Sequence, residues 1–165
     1  MRASLWPTVA IAVASACGGG DREPGTGEWE FQDDSVASLR VVGQEGPEGE
    51  PRKRSVILSF DCLADNTGGR IMTEQALRQG TVEARLTVDQ EPPLALPGFA
   101  GTTPSGGQVV LTIPQESLLT VLGGHQRAVI AYEDGAGSSK TVAEFPIAGV
   151  ETYRERFLAA CAGRR

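Results

Sequence analysis

Residues 80–89, Gly-Thr-Val-Glu-Ala-Arg-Leu-Thr-Val-Asp, alternate apolar and polar side chains without a break. Val82, Ala84, Leu86 and Val88 fall on one side, and Glu83, Arg85, Thr87 and Asp89 on the other. Only a two-residue repeat gathers the apolar set on one face, so this segment is a strand. One dry and one wet face is the signature of an antiparallel sheet solvated on one side. Ser55–Leu63 repeats the pattern, with Val56, Leu58, Phe60 and Cys62 opposite Ser59 and Asp61.

The remaining segments extend this β reading. Glu28-Trp29-Glu30-Phe31 suits a first strand with Trp29 and Phe31 inward, and Val36–Val42 a second, after the turn Asp33-Asp34-Ser35. Gly43–Arg54 (GQEGPEGEPRKR) has glycine, proline and charge but no apolar period, and is expected to be a loop. Asp65–Gly69 reads as a turn before a short strand Arg70–Thr73. Gln90–Gly107, rich in proline and glycine, is expected to be a long surface excursion, its Leu94, Leu96 and Phe99 lying over the core edge. Val109, Leu111 and Ile113 form another inward row. Pro114–Leu122 reads as a short helix, with proline at its start and Gly123-Gly124 at its end. Ala128–Tyr132 and Lys140–Ile147 make a hairpin around the turn 133–139. In Val150–Ala162, the residues Val150, Tyr153, Phe157 and Cys161 fall at i, i+3, i+7 and i+11, a helical face. Regular βαβ alternation is absent. The expected fold is mainly β: an antiparallel sandwich or curled sheet with a short internal helix and a C-terminal helix, one domain over 28–162.

The N-terminus carries different information. Arg2 precedes an apolar run that ends in Ala14-Ser15-Ala16-Cys17, which makes an export signal over 1–16. From Ala3 to Ala16 is 14 residues, short of the roughly 20 that span a membrane. Ala14-Ser15-Ala16-Cys17 resembles the bacterial lipobox, which implies acylation of Cys17, although Ala14 stands where that pattern usually has leucine. The same residues satisfy the A-x-A pattern of ordinary signal peptidase. Both readings cut before Cys17 and differ only in whether it carries lipid. The glycine-rich stretch over 17–27 reads as a tether and favours lipid.

Cysteine use bears on the same question. Of three cysteines, Cys17 is assigned to lipid, leaving Cys62 and Cys161, which admit one pairing. An exported compartment is oxidising, so a bridge is expected, two separate buried thiols being the alternative. The face of Cys161 on its helix and the inward face of Cys62 agree with a bridge. Removal of the leader takes Arg2 with it, leaving 14 basic against 21 acidic residues, a net charge of −7. Nucleic-acid phosphates need a basic face, so no nucleic-acid partner is expected. The one basic cluster, Arg52-Lys53-Arg54, reads as a solvated loop tip.

Catalytic signals are weak. The single histidine, His125, sits in a glycine loop, and no serine occupies a G-x-S-x-G elbow. One histidine and two widely spaced cysteines lack the ligand spacing of a zinc site. Asp33, Asp34, Asp61 and Asp65 near strand ends have no EF-hand spacing and read as solvated acids. Gly135–Thr141 fails the phosphate-loop pattern, because Ser139 and Asp134 stand where it requires glycine. No catalytic residue, cofactor or metal site is expected.

Together, Trp29, Asp33-Asp34-Ser35, Leu58, Cys62, Arg85, Phe145-Pro146-Ile147-Ala148-Gly149 and Cys161 resemble the pattern of VasI/TagO-like exported proteins associated with type VI secretion. The resemblance covers Trp29 to Cys161 and implies a β-rich envelope accessory protein with no catalytic residues to carry over. The expected function is a non-enzymatic accessory or binding module of the bacterial cell envelope. Its expected partners are the membrane, through lipid on Cys17, and an envelope protein, at the outer membrane facing the periplasm. The alternative is a small-molecule or ion-binding lipoprotein with its cleft under Gln90–Gly107. A hydrolase built around His125 ranks third.

Overall fold

A computed structural model describes residues 27–62, 68–133 and 140–163. Nine strands and two helices follow in the order β1 (Trp29–Asp33), β2 (Ala37–Pro47), β3 (Arg54–Asp61), β4 (Arg70–Thr73), β5 (Gly80–Val88), β6 (Leu94–Thr103), β7 (Gly106–Leu111), α1 (Gln115–Leu122), β8 (Arg127–Glu133), β9 (Lys140–Pro146) and α2 (Val150–Ala162). The expected mainly β, antiparallel class and both helices are present. Cys17, the leader, Asp65 and the turn 134–139 lie outside the described residues.

The expected sandwich is corrected to a barrel. Strands run β2-β3-β4-β7-β6-β5-β8-β9, and β9 returns to pair with β2, so eight strands close on themselves. Alternation is the same in a sandwich and a barrel; only the pairing of the end strands differs, and that pairing is non-local. Eight strands enclose an interior that side chains just fill. Here Leu39, Val41, Val56, Leu58, Phe60, Ile71, Ala84, Leu86, Leu96, Val109, Leu111 and Ile130 fill it.

Closure depends on β2. Its first half pairs through one edge with β1, from Ala37↔Asp33 to Val41↔Trp29. The second half of that edge pairs with β9, from Gln44↔Glu144 to Pro47↔Thr141. The handover falls at Gly43. A Cβ there would overlap the Glu144 carbonyl oxygen and lie 2.6 Å from Phe145 Cδ1, so only glycine lets β9 approach. Trp29 closes the seam between β1 and β9, its Nε1–H donating to the Ile147 carbonyl at 3.2 Å.

Two crossovers plug the ends. The β4–β5 connection passes over the start of β7 and inserts Leu77, 3% exposed, into the core. A Cβ on Gly107 would overlap the Gln75 carbonyl and sit 2.6 Å from Leu77 Cγ. Thr102 Oγ1 fastens the crossover by donating to the Leu77 carbonyl at 2.6 Å. At the other end α1 carries Leu118, Leu119 and Leu122 into the core, and Gln115 Nε2 donates to the Asp61 carbonyl at 2.6 Å. α2 packs on β1, β2 and α1 through Val150 and Phe157, with Arg156 over the Phe31 ring at 4.5 Å. Cys62 and Cys161 lie at disulfide distance, with Cα atoms 5.1 Å apart, within the range a disulfide requires. The bridge fastens the last turn of α2 to the end of β3.

Three local expectations are corrected. Gly43–Pro47 is strand, the second half of β2, and not loop. Gln90–Gly107 is no surface excursion: Leu94–Thr103 is a full barrel strand, β6, with Leu96 and Ala100 inward. Pro97 is tolerated within β6 because its carbonyl accepts from Thr112 N–H at 2.9 Å, one residue past the end of β7. Its missing N–H therefore faces a point where the neighbouring strand has ended. Arg52-Lys53-Arg54 is not a wholly solvated tip, since Arg54 opens β3 from within the barrel mouth and Arg52 pairs with Glu144.

Candidate functional site

The barrel mouth carries a polar cluster. Glu45 points inward from β2 and is fully buried. It accepts from Tyr132 Oη on β8 at 2.6 Å and from Thr73 Oγ1 on β4. Arg54, its register partner on β3, places Nε 3.6 Å from Glu45 Oε1. Gln75 N–H in turn donates to Thr73 Oγ1 at 3.1 Å. The Tyr132 hydroxyl is pushed far above the usual phenol range, first by burial and then by the Glu45 carboxyl it donates to. It stays protonated, as its role as donor requires. Four strands thus meet on one carboxyl, whose two oxygens each accept from a hydroxyl, while Arg54 Nε and Nη2 are buried with no hydrogen-bond partner among the described residues. Glu45 and Tyr132 are shut away from solvent in this structure.

An open site lies on the outer face. A groove of about 480 Å³ is lined by Gln44, Arg52, Gln126, Arg127, Glu144 and Pro146. It follows from register: Gln44 on β2 faces Glu144 on β9, and Arg127 on β8 faces Pro146. Arg52 reaches in from the β2–β3 connection. Glu144 stands between two cations, with Arg52 Nη1 at 2.9 Å from Oε2 and Arg127 Nη1 at 3.3 Å from Oε1. The guanidinium groups are partly exposed, so these pairs hold geometry more than they add stability.

Asp89 holds the backbone of two lining residues, Gln126 and Arg127, from behind the groove. It follows β5 with φ of 47°, a left-handed conformation that aspartate tolerates better than most residues. That conformation turns its carboxylate toward the backbone of the opposite loop. It accepts from Gln126 N–H at 3.2 Å and Arg127 N–H at 3.0 Å, and lies 3.0 Å from His125 Nδ1. The His125 hydrogen bond, with help from the two backbone donors, holds the Asp89 carboxyl below its usual range. His125 is therefore a positioning group: it braces the residue that orients Gln126 and Arg127. No described serine, threonine or cysteine is hydrogen-bonded to it.

No family model matches this chain, and no curated protein matches it. Among solved structures, the barrel is similar to the crystal structure of invasion associated protein B from Bartonella henselae. The TM-score is 0.54 at 14% identity, over 86% of this chain and 98% of that one. The likeness is one of fold.

Of the residues singled out in the sequence, Cys62 and Cys161 are brought together, and His125 lies against Asp89, next in sequence to the lining residue Gln126. Asp33 and Asp61 stay apart from that groove, at the ends of β1 and β3. Among the described residues no three His, Cys, Asp or Glu side chains are grouped to hold a metal ion. Glu45 and Glu144 were missed. Glu144 alternates outward within Lys140–Pro146, where a solvated charge is the ordinary reading. Its only signal is the arginines it gathers from distant segments.

Proposed function

We propose that this chain is a membrane-anchored lipoprotein of the bacterial cell envelope, a non-enzymatic accessory or binding module that presents the outer groove to its partner. The observation that carries this reading is the pairing of Cys62 with Cys161. It accounts for two of three cysteines in a way that suits an oxidising compartment. Cys17, directly after the export signal, is left for lipid. The residues 18–27 then serve as the tether, and the barrel stands off the membrane facing the periplasm.

The association with type VI secretion, implied by the VasI/TagO-like resemblance, belongs to the same proposal. The Bartonella protein is named as invasion associated, a property of that protein which a shared fold does not carry across. Two experiments test the reading. Cys17→Ser moves the protein from the membrane to the soluble fraction; retention with membranes refutes the anchor. Crosslinking in intact cells followed by pull-down recovers one defined envelope partner, and recovery of none counts against the binding module.

A further inference from the structure

We propose that the outer groove binds the phosphate-bearing headgroups of the membrane to which the protein is anchored, with Arg52 and Arg127 as the phosphate contacts. The proposal rests on the anchored reading above and adds a ligand to it.

Charge complementarity is the first argument. Arg52, from the β2–β3 connection, and Arg127, the first residue of β8, are far apart in sequence and converge on one side of a chain whose net charge is acidic. Guanidinium groups present several N–H donors in a planar fork that matches phosphate oxygens. Glu144 takes Nη1 of each, which fixes both forks in place and leaves the pair with net positive charge. Gln44 and Gln126 add amide groups on the same walls.

Position is the second argument, and it is independent of charge. Gly27 enters the fold against the groove wall: its N–H donates to the Val42 carbonyl at 3.3 Å, and a Cβ on it would lie 3.2 Å from Pro146 Cγ. Nine residues, 18–26, separate Gly27 from Cys17. Even fully extended they span at most about 35 Å. The groove is thus the part of the barrel beside the anchor's point of attachment, where the local concentration of headgroups is high.

The test uses the chain from residue 17 with Cys17→Ser, so that no acyl chain contributes. Flotation is measured with vesicles of phosphatidylethanolamine and phosphatidylglycerol, and with vesicles of phosphate-free digalactosyl diacylglycerol. The expected result is binding to the first only, at least ten-fold weaker for R52Q/R127Q at unchanged circular dichroism. E144Q releases both guanidinium groups and is expected to bind several-fold tighter, which a merely structural ion pair does not produce. Equal binding to phosphate-free vesicles, full binding by R52Q/R127Q, or loss of binding in E144Q overturns the proposal. So does a groove that takes inorganic phosphate while ignoring vesicles, because the site is then one for free phosphate. Fractionation of wild type against Cys17→Ser in cells tests the anchor separately, so the two failures are distinguishable.

Discussion

Replacing Tyr132 by phenylalanine removes one oxygen from the barrel mouth and leaves its shape intact. The hydroxyl donates to Glu45 Oε2 at 2.6 Å, and both side chains are almost wholly buried. Phenylalanine leaves that carboxyl oxygen without its donor and out of reach of water, at a cost of about 1–3 kcal/mol. Taking about 2 kcal/mol and a urea slope of 1–3 kcal/mol per molar, the unfolding midpoint falls by roughly 1 M. The pH dependence provides a sharper signature. The phenol of Tyr132 is raised in the folded state above its ordinary 10.0. Below pH 10 its contribution is complete. Above pH 10 the unfolded chain releases the proton while the folded chain holds it, so stability falls by about 1.4 kcal/mol per pH unit. Urea melts from pH 8 to pH 11 read both effects. The gap between wild type and Tyr132→Phe is expected to shrink by about 1.4 kcal/mol by pH 11, since contributions common to the two proteins cancel in the difference. A gap that stays constant over this range, or no gap at pH 8, refutes the placement of Tyr132 as the protonated donor to Glu45.

Other consequences follow from the same structure. Reducing the Cys62–Cys161 bridge, or substituting Cys161→Ser, opens a crosslink with a sequence separation of 99. The chain-entropy value for such a loop is about 4.7 kcal/mol as an upper figure, so the urea midpoint drops by more than for Tyr132→Phe; an unchanged midpoint under reductant refutes a stabilising bridge. Gly43→Ala drives a Cβ into the Glu144 carbonyl and Phe145. The expected cost is about 1–3 kcal/mol or more, with hydrogen exchange loosening first along β2 and β9, and fast exchange confined to α2 is the contrary result. Asp89 has its carboxyl lowered by His125 and two backbone donors. Its stabilising contribution is present above the unfolded value of 3.8 and is lost as pH falls through the lower folded value. Asp89→Ala is accordingly expected to flatten the acid limb of the stability curve below pH 4, and an unaltered limb removes Asp89 as the brace of the groove.

How much of this was legible in the sequence depends on whether a residue's role is local. The strand 80–88 could be read directly, because alternation is a property of neighbours and the barrel leaves it undisturbed. The two helices were legible for the same reason, through Pro114, Gly123 and the spacing of Val150, Tyr153, Phe157 and Cys161. Gly43–Pro47 was not. Its inward residue is Glu45, whose burial is acceptable only because Thr73, Tyr132 and Arg54 arrive from three other strands. β6 was hidden by Pro97, which is permissible only because β7 stops at Leu111. Neither circumstance can be seen from the segment itself. The groove is a stronger case of the same kind, since Arg52, Arg127 and Glu144 read singly as solvated charges and acquire meaning through register.

Barrel closure and the groove have one cause. β9 can lie along the β2 edge only beyond Gly43, since β1 occupies the edge before it. That division puts Gln44 opposite Glu144 and brings Pro146 to the seam where β1 begins. A chain entering β1 must therefore arrive beside the residues that line the groove. If β9 were to pair elsewhere, Glu144 would lose its place between Arg52 and Arg127, and the groove would no longer adjoin Gly27. The seam that lets eight strands close thus also decides which face of the barrel lies next to Gly27.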